Sequence, residues 1–232
     1  MNELEKWSEL RIKIKDSYNL NKDWELALGL FENRITKKFL DPIELLIENG
    51  FKDGEGFAIL TVQCALIESF ASFRTGQIFN YSSRWNKGAP KFQYWESSKV
   101  FIKFLHSAEI FKDNFWRLEG AKRVVNLPFS AGEFFDKVRC GLMHEARTKS
   151  PWHINTTAKH LKKEKVFIGS SGGKIKVLRT ILHHRLKDHL QTYISDLRQE
   201  NQEGNNLRRL FARKLDHIFD ISLDLNFDWW RE

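Results

Sequence analysis

Cysteine is nearly absent from this chain: Cys64 and Cys140 are the whole complement in 232 residues. Two thiols fit neither a disulfide framework nor a clustered zinc site, which points to a reducing compartment. Long apolar runs are missing as well. Runs such as Phe57–Leu60 and Val124–Val125 fall far short of the ~20 residues a membrane span needs. The start, Met1-Asn-Glu-Leu-Glu5, is acidic and lacks the basic-then-apolar order of a signal peptide. These absences predict a cytoplasmic protein with no membrane partner. Internal repeats and low-complexity tracts are lacking too. Negative charge is in deficit, with 30 Asp+Glu against 38 Lys+Arg and a net charge of +8. That balance favours a polyanionic partner without naming one.

What is present suits one compact domain. A chain of this length can bury roughly 70% of its unfolded surface, so it needs no disulfide or structural metal to hold a core. Trp7, Leu10 and Ile14 recur at helical spacing within residues 3–16, and residues 23–39 continue with Trp24, Leu28, Phe31, Ile35 and Phe39. Asp41-Pro42 predicts a turn before a short helix to Asn49. After the break Asp53-Gly-Glu-Gly56, Phe57 to Phe79 reads as a central buried helix bearing Leu60, Cys64, Ile67, Phe70 and Phe73, and Tyr81 to Gln93 reads as a loop. Glu96–Phe111 and Glu133–Arg147 are further helices, the second with Ser130 as N-cap and Glu133 three residues on.

The last third changes character. Trp152–Thr156 is a short extended run, Lys165–Arg179 reads as a β-hairpin across Gly169-Ser-Ser-Gly-Gly-Lys174, and Thr180–Glu200 and Asn205–Ile221 are amphipathic helices. The predicted fold is mainly α, a single helical domain over 1–232, with a bundle core in 1–150 and a small hairpin before two C-terminal helices in 151–232.

Three constellations have plain readings. The glycine-rich loop is one residue short of a phosphate loop, has Ile175 where Ser or Thr is required, and leads into an alternating strand pattern. His184 and Asp188 could share a metal beside His183 and His189, yet no third ligand has zinc-like spacing, so a solvated polar face is the simpler reading and no metal or cofactor is expected. The basic runs Lys159–Lys165 and Arg208–Lys214 read as solvated helix faces able to attract phosphate.

The segment Glu133-Phe-Phe-Asp-Lys-Val-Arg-Cys-Gly-Leu-Met-His-Glu-Ala-Arg147 is more informative. On an ideal helix Ala131, Phe135, Val138 and Leu142 form a core stripe. Cys140, Met143, His144 and Arg147 fall opposite, with Arg139 at the flank. That second stripe is either a twofold partner surface or an exposed face whose terminal His and Arg suit the helix dipole.

Arg139-x4-His144, preceded by Phe134, Phe135 and Val138 and followed by Glu145-Ala146, resembles the diagnostic helix of the HEPN superfamily, whose ribonucleases carry Arg-x4-6-His near a helix end. Upstream, Leu66-Ile-Glu68-Ser-Phe70 and Phe73-Arg-Thr-Gly76 are similar to the long acidic-marked helix of some bacterial HEPN-like proteins. The likeness covers roughly residues 24–150, and Arg179–His184 repeats the bare spacing.

The resemblance implies an all-α bundle that dimerises through the motif helix, and a metal-independent endoribonuclease that uses the ribose 2′-hydroxyl as nucleophile. His144 would be the general acid or base and Arg139 the hydrogen-bond donor to the scissile phosphate, with Glu68, Cys140 and Arg147 contacting RNA. Toxin or phage-defence roles, with an antitoxin or other protein partner, are common among such relatives. Arg139 and His144 are about 140° apart on an ideal helix, so either a π-like bulge at Gly141 or pairing across a homodimer is needed. The dimer is the favoured solution, with Cys140 and Met143 as its apolar contact. Cys140 is also a departure, since catalytic relatives often have a polar residue after the motif arginine. The competing class is a non-enzymatic helical scaffold that binds nucleic acid or protein.

Overall fold

Asparagines mark where the chain becomes helical. Asn2 accepts the Glu5 N–H at 2.9 Å while Glu5 accepts the Asn2 N–H at 2.8 Å, a capping box that starts α1 (Glu3–Ile14). Asn21 accepts the Trp24 N–H and starts α2 (Lys22–Ile35). The structure, a computed structural model, describes residues 1–50, 54–155 and 166–231.

The turn expected at Asp41-Pro42 is not there. α2 runs through a π-helical turn, Thr36–Leu40, straight into α3 (Asp41–Asn49), with Pro42 in its first turn. Pro42 comes just after the π-helical turn, whose wider path leaves room for a ring that cannot bond back to the preceding turn. α4 (Glu55–Thr75) is the apolar helix, with Ile67 and Phe70 fully buried as expected. It ends earlier than the hydrophobic pattern suggests: Gly76 takes φ +60°, and Ile78–Phe79 form strand β1, paired in parallel with β2 (Gln93–Tyr94). Among the described residues α4 alone is long and apolar enough to cross a membrane, and more than half of that window is buried in the protein interior.

After α5 (Ser97–Ser107) comes a hairpin that the sequence pattern does not announce, β3 (Trp116–Glu119) against β4 (Lys122–Val125), turning at Gly120. The motif helix follows as α6 (Ala131–Glu133), a π-helical stretch Phe134–Cys140, and α7 (Gly141–Glu145). Ser130 caps it as expected, its hydroxyl accepting the Glu133 N–H.

β5 (Trp152–Asn155), β6 (Ile168–Ser171) and β7 (Lys174–Leu178) form a three-stranded sheet in the order β5-β7-β6. The glycine loop is the tip of the predicted hairpin: Ser171 pairs with Lys174, and both Gly172 and Gly173 have positive φ, as a two-residue type I′ turn requires. The parallel pairing of β5 with β7 is an addition. Two helices, α8 (Arg179–Leu197) and α9 (Gln202–Ile218), complete a mainly helical chain.

The chain divides into two compact units, each drawing segments from both sides of residue 150. One comprises Met1–Lys37, Ser69–Ser97 and Leu190–Glu232. Its centre is a cluster of Phe31, Phe73, Tyr193 and Phe211, with Phe31 4.5 Å from Phe73 and 5.3 Å from Phe211. The same unit holds a buried carboxylate, Asp216. Its oxygens accept from Arg11 Nε and Nη2 and from the indole N–H groups of Trp7, Trp229 and Trp230, all within 2.8–2.9 Å.

The basic run Arg208–Lys214 belongs to this unit and is not a solvated face. Arg208 is fully buried and donates to the carbonyls of Tyr18, Leu197 and Gln199, while buried Arg213 donates to the Trp229 carbonyl and covers the Phe92 ring at 4.3 Å. α9 turns its arginines inward because main-chain carbonyls of neighbouring segments need donors there. The other basic run, Lys159–Lys165, lies outside the described residues.

The second unit comprises Lys38–Glu68 and Ser98–His189. Its core is aromatic: Phe115 lies within 5.3–5.9 Å of Phe111, Phe134 and Phe167, and Trp152 packs on Phe134 at 5.6 Å. Buried Asn114 fixes the start of β6 by accepting the N–H groups of Phe167 and Ile168.

Candidate active site on the motif helix

α4 and the motif helix bring two of the five candidate residues into direct contact within the second unit. Arg139 Nη2 donates to Glu68 Oε2 at 3.1 Å, and both side chains keep about a fifth of their surface exposed. Phe135, one helical turn earlier, places its ring 5.3 Å beneath the same guanidinium. The ion pair and the ring hold Arg139 in place. Nε and Nη1 of Arg139 have no protein partner among the described residues. These N–H groups are thus left to donate to a ligand.

This arrangement follows from the π-helical stretch. The expected core stripe names Phe135, but the fully buried ring is Phe134, together with Ala131 and Val138. Phe135 is half-buried, edge-on to Phe101 at 5.4 Å. The wider turn carries Arg139 and precedes Gly141, where the sequence offers a bulge as the alternative to the favoured homodimer.

His144 sits in the last turn of α7 with its ring exposed and without a side-chain partner among the described residues. Met143 beside it is 53% exposed, and Cys140 is half-buried. Arg147 is not part of this face. The helix stops at Glu145, Ala146 adopts φ +52°, and the chain folds back so that Arg147 N–H reaches the Gly141 carbonyl and Lys149 N–H the Lys137 carbonyl. The predicted stripe Cys140, Met143, His144, Arg147 therefore loses its last member to a helix cap. Exposed Arg147 lies against Glu145, which Lys149 also pairs at 2.9 Å; the two cations hold the Glu145 carboxyl below its ordinary range, Lys149 most.

Gly141 is what lets the chain return so closely. A Cβ at this position would lie 2.5 Å from the Arg147 carbonyl oxygen. Cys64 is the residue that sequence reasoning missed: it lies one helical turn before Glu68 on α4, buried, and shares the field of Arg139, Glu68 and Cys140. Burial pushes its thiol up to about 12, opposed by Arg139 and reinforced by Glu68 and Cys140. The i, i+4 spacing of Cys64 and Glu68 was the available signal.

The histidines of α8 do not share a face. His183 is buried with Nε2 2.9 Å from Glu44 Oε2, His189 is buried edge-on to Phe104 at 5.3 Å, and His184 and Asp188 are exposed. Glu44 also accepts Lys187 Nζ at 2.7 Å, and these two bonds hold its carboxyl down to about 2. Among the described residues no three His, Cys, Asp or Glu side chains are grouped as a metal would need. No family model, curated protein or solved structure matches this chain.

Proposed function

We propose that this chain is a HEPN-like endoribonuclease that works without a metal, acts as a cytoplasmic homodimer joined through the motif helices, and serves a toxin or phage-defence role with an antitoxin-type partner. The observation that carries the reading is the Arg139 guanidinium, held by Glu68 through Nη2 with Nε and Nη1 unclaimed, on the same helical segment as an exposed, unpartnered His144. In this chemistry the imidazole takes the proton from the ribose 2′-hydroxyl or returns one to the leaving 5′-oxygen. The guanidinium stabilises the negative charge that develops on the phosphate oxygens. Glu68 acts as a positioning residue, since its contact is with Arg139. Cys140 and exposed Met143 supply the apolar surface on which a second copy would close.

Purified protein in excess EDTA is expected to cut RNA to 2′,3′-cyclic phosphate and 5′-hydroxyl ends. His144→Ala should lower the rate about a hundred- to ten-thousandfold, and Arg139→Lys should fail because an ammonium lacks the planar donor fork. His184→Ala, which alters the repeat of the spacing, should cut like wild type. Met143→Asp should lower the sedimentation coefficient to that of a monomer, because a carboxylate would be buried in the interface. Cleavage indifferent to both Arg139 and His144 removes the proposal.

A second reading draws on the same ion pair. An arginine already neutralised by Glu68 and stacked on Phe135 is also what a non-catalytic helical binding module would carry, and Cys140 after the motif arginine suits that branch.

A further inference from the structure

The segment between α4 and α5 combines exposed aromatic rings with positive charge. Residues 77–95 contain Arg84, Lys87 and Lys91 and no Asp or Glu. Within the described residues every exposed Trp and Tyr of the protein lies here: Tyr81, Trp85 and Trp95, joined by Phe79. Trp85 is 66% exposed, although burying such a ring is worth several kcal/mol to a fold. The other six tryptophans are at most 3% exposed. A chain that hides its remaining indoles so thoroughly leaves two outside in one place.

The segment is anchored at both ends. Ile78 N–H donates to Phe92 O at 2.9 Å and Asn80 N–H to Tyr94 O at 2.8 Å, while the Asn80 side-chain amide donates to Gln93. Ile78, Phe92 and Tyr94 point inward, and Phe92 packs on Trp230. Between the anchors a 3-10 turn, Tyr81–Arg84, sets Tyr81 edge-on to Trp85 at 5.1 Å. The Arg84 guanidinium lies 5.5 Å from the Trp85 ring and 5.2 Å from the Trp95 ring, so one cation ties the two indoles together.

We propose that this segment is a stacking platform for single-stranded nucleic acid. Unpaired bases stack on indole and phenol rings whatever their sequence, and the neighbouring cations attract the phosphates between them. A protein-binding surface would be poor in lysine at its centre, and a duplex keeps its bases out of reach of the rings. The platform belongs to a different unit from Arg139 and His144 and does not depend on cleavage.

The test uses the full chain and a 12-nucleotide, mixed-sequence 2′-O-methyl RNA, which lacks the hydroxyl needed for cleavage. Binding is read by the fluorescence anisotropy of a dye on the RNA 5′ end, a signal that no tryptophan substitution removes. Wild type is expected to raise the anisotropy, with affinity falling as salt rises. Trp85→Ala should weaken binding roughly five- to a hundredfold, the range of one lost base–aromatic stack, while Trp85→Phe retains most of it. Thermal melting should show the variants folded, since Trp85 is exposed. Absence of binding by wild type, equal binding by Trp85→Ala, or equal binding of the same sequence as a duplex each overturns the proposal. So does sedimentation showing that Trp85→Ala dissociates a dimer, which would make a second copy the occupant. A catalytically dead protein that still binds leaves this inference standing and refutes only the cleavage reading.

Discussion

Arg11 and Asp216 form a two-point ion pair in the protein interior, Nε to Oδ1 at 2.9 Å and Nη2 to Oδ2 at 2.8 Å, across 205 residues of sequence. Three indole N–H groups complete the carboxylate's shell, and the Phe227 ring covers the guanidinium at 3.6 Å. A buried charge is tolerated when every lone pair is used in this way.

Asp216→Asn puts an N–H₂ group where donors converge and leaves Arg11 buried without its counter-charge. Breaking a buried pair from one side costs about 3–5 kcal/mol. The urea-unfolding midpoint should fall accordingly, and a shift below about 1 kcal/mol would show that the three tryptophans hold their places without the carboxylate.

Gly141 and Ala146 make opposite predictions to the usual helix rules. Alanine is ordinarily favoured over glycine inside a helix by about 1 kcal/mol. Gly141→Ala should nevertheless destabilise, because its Cβ would meet the Arg147 carbonyl at 2.5 Å. Ala146→Gly should stabilise by about 0.5–1 kcal/mol, since Ala146 occupies the left-handed region at φ +52°. Thermal melts of the two single variants check both signs.

Acid should weaken the fold through histidines that burial, whole or partial, keeps neutral. Burial holds His106, His183 and His217 below their ordinary value of 6.5, against the pull of Glu44 on His183. Below 6.5 the unfolded chain takes up protons that the folded chain refuses, so stability falls as pH drops through that range. His183→Gln should flatten the decline of the unfolding free energy between pH 7 and 5. An unchanged slope would exclude His183 as a contributor.

The parts of the fold that were legible in the sequence are those decided locally. The apolar density around Ile67 and Phe70 located α4, Ser130 with Glu133 located the start of the motif helix, and Gly172-Gly173 located a hairpin tip. Choices made by distant partners were not legible. A run of arginines looks solvated until the carbonyls of Tyr18, Leu197 and Trp229 come within reach of it. The π-helical stretch left no mark in the spacing of apolar residues, so Phe135 was assigned the place that Phe134 fills. At the candidate site the motif itself places Arg139 and His144 on one segment, and α4 was marked through Glu68. That Glu68 grips Arg139, and that Arg147 caps the helix instead of lining its face, depends on contacts which local periodicity does not encode.

The Asp216 cluster also governs when the protein can become complete during its own synthesis. A ribosome releases the N-terminus first, so Trp7 and Arg11 emerge long before the carboxylate they will hold. With a separation of 205 residues and elongation at about 5–20 residues per second, the delay is roughly 10–40 s. Throughout that interval α1 has an unpaired arginine and an indole on the face destined for the interior. Trp229 and Trp230 arrive last of all. The nascent chain is thereby left open to chaperones, or to premature association, until Asp216 and its two late tryptophans have emerged.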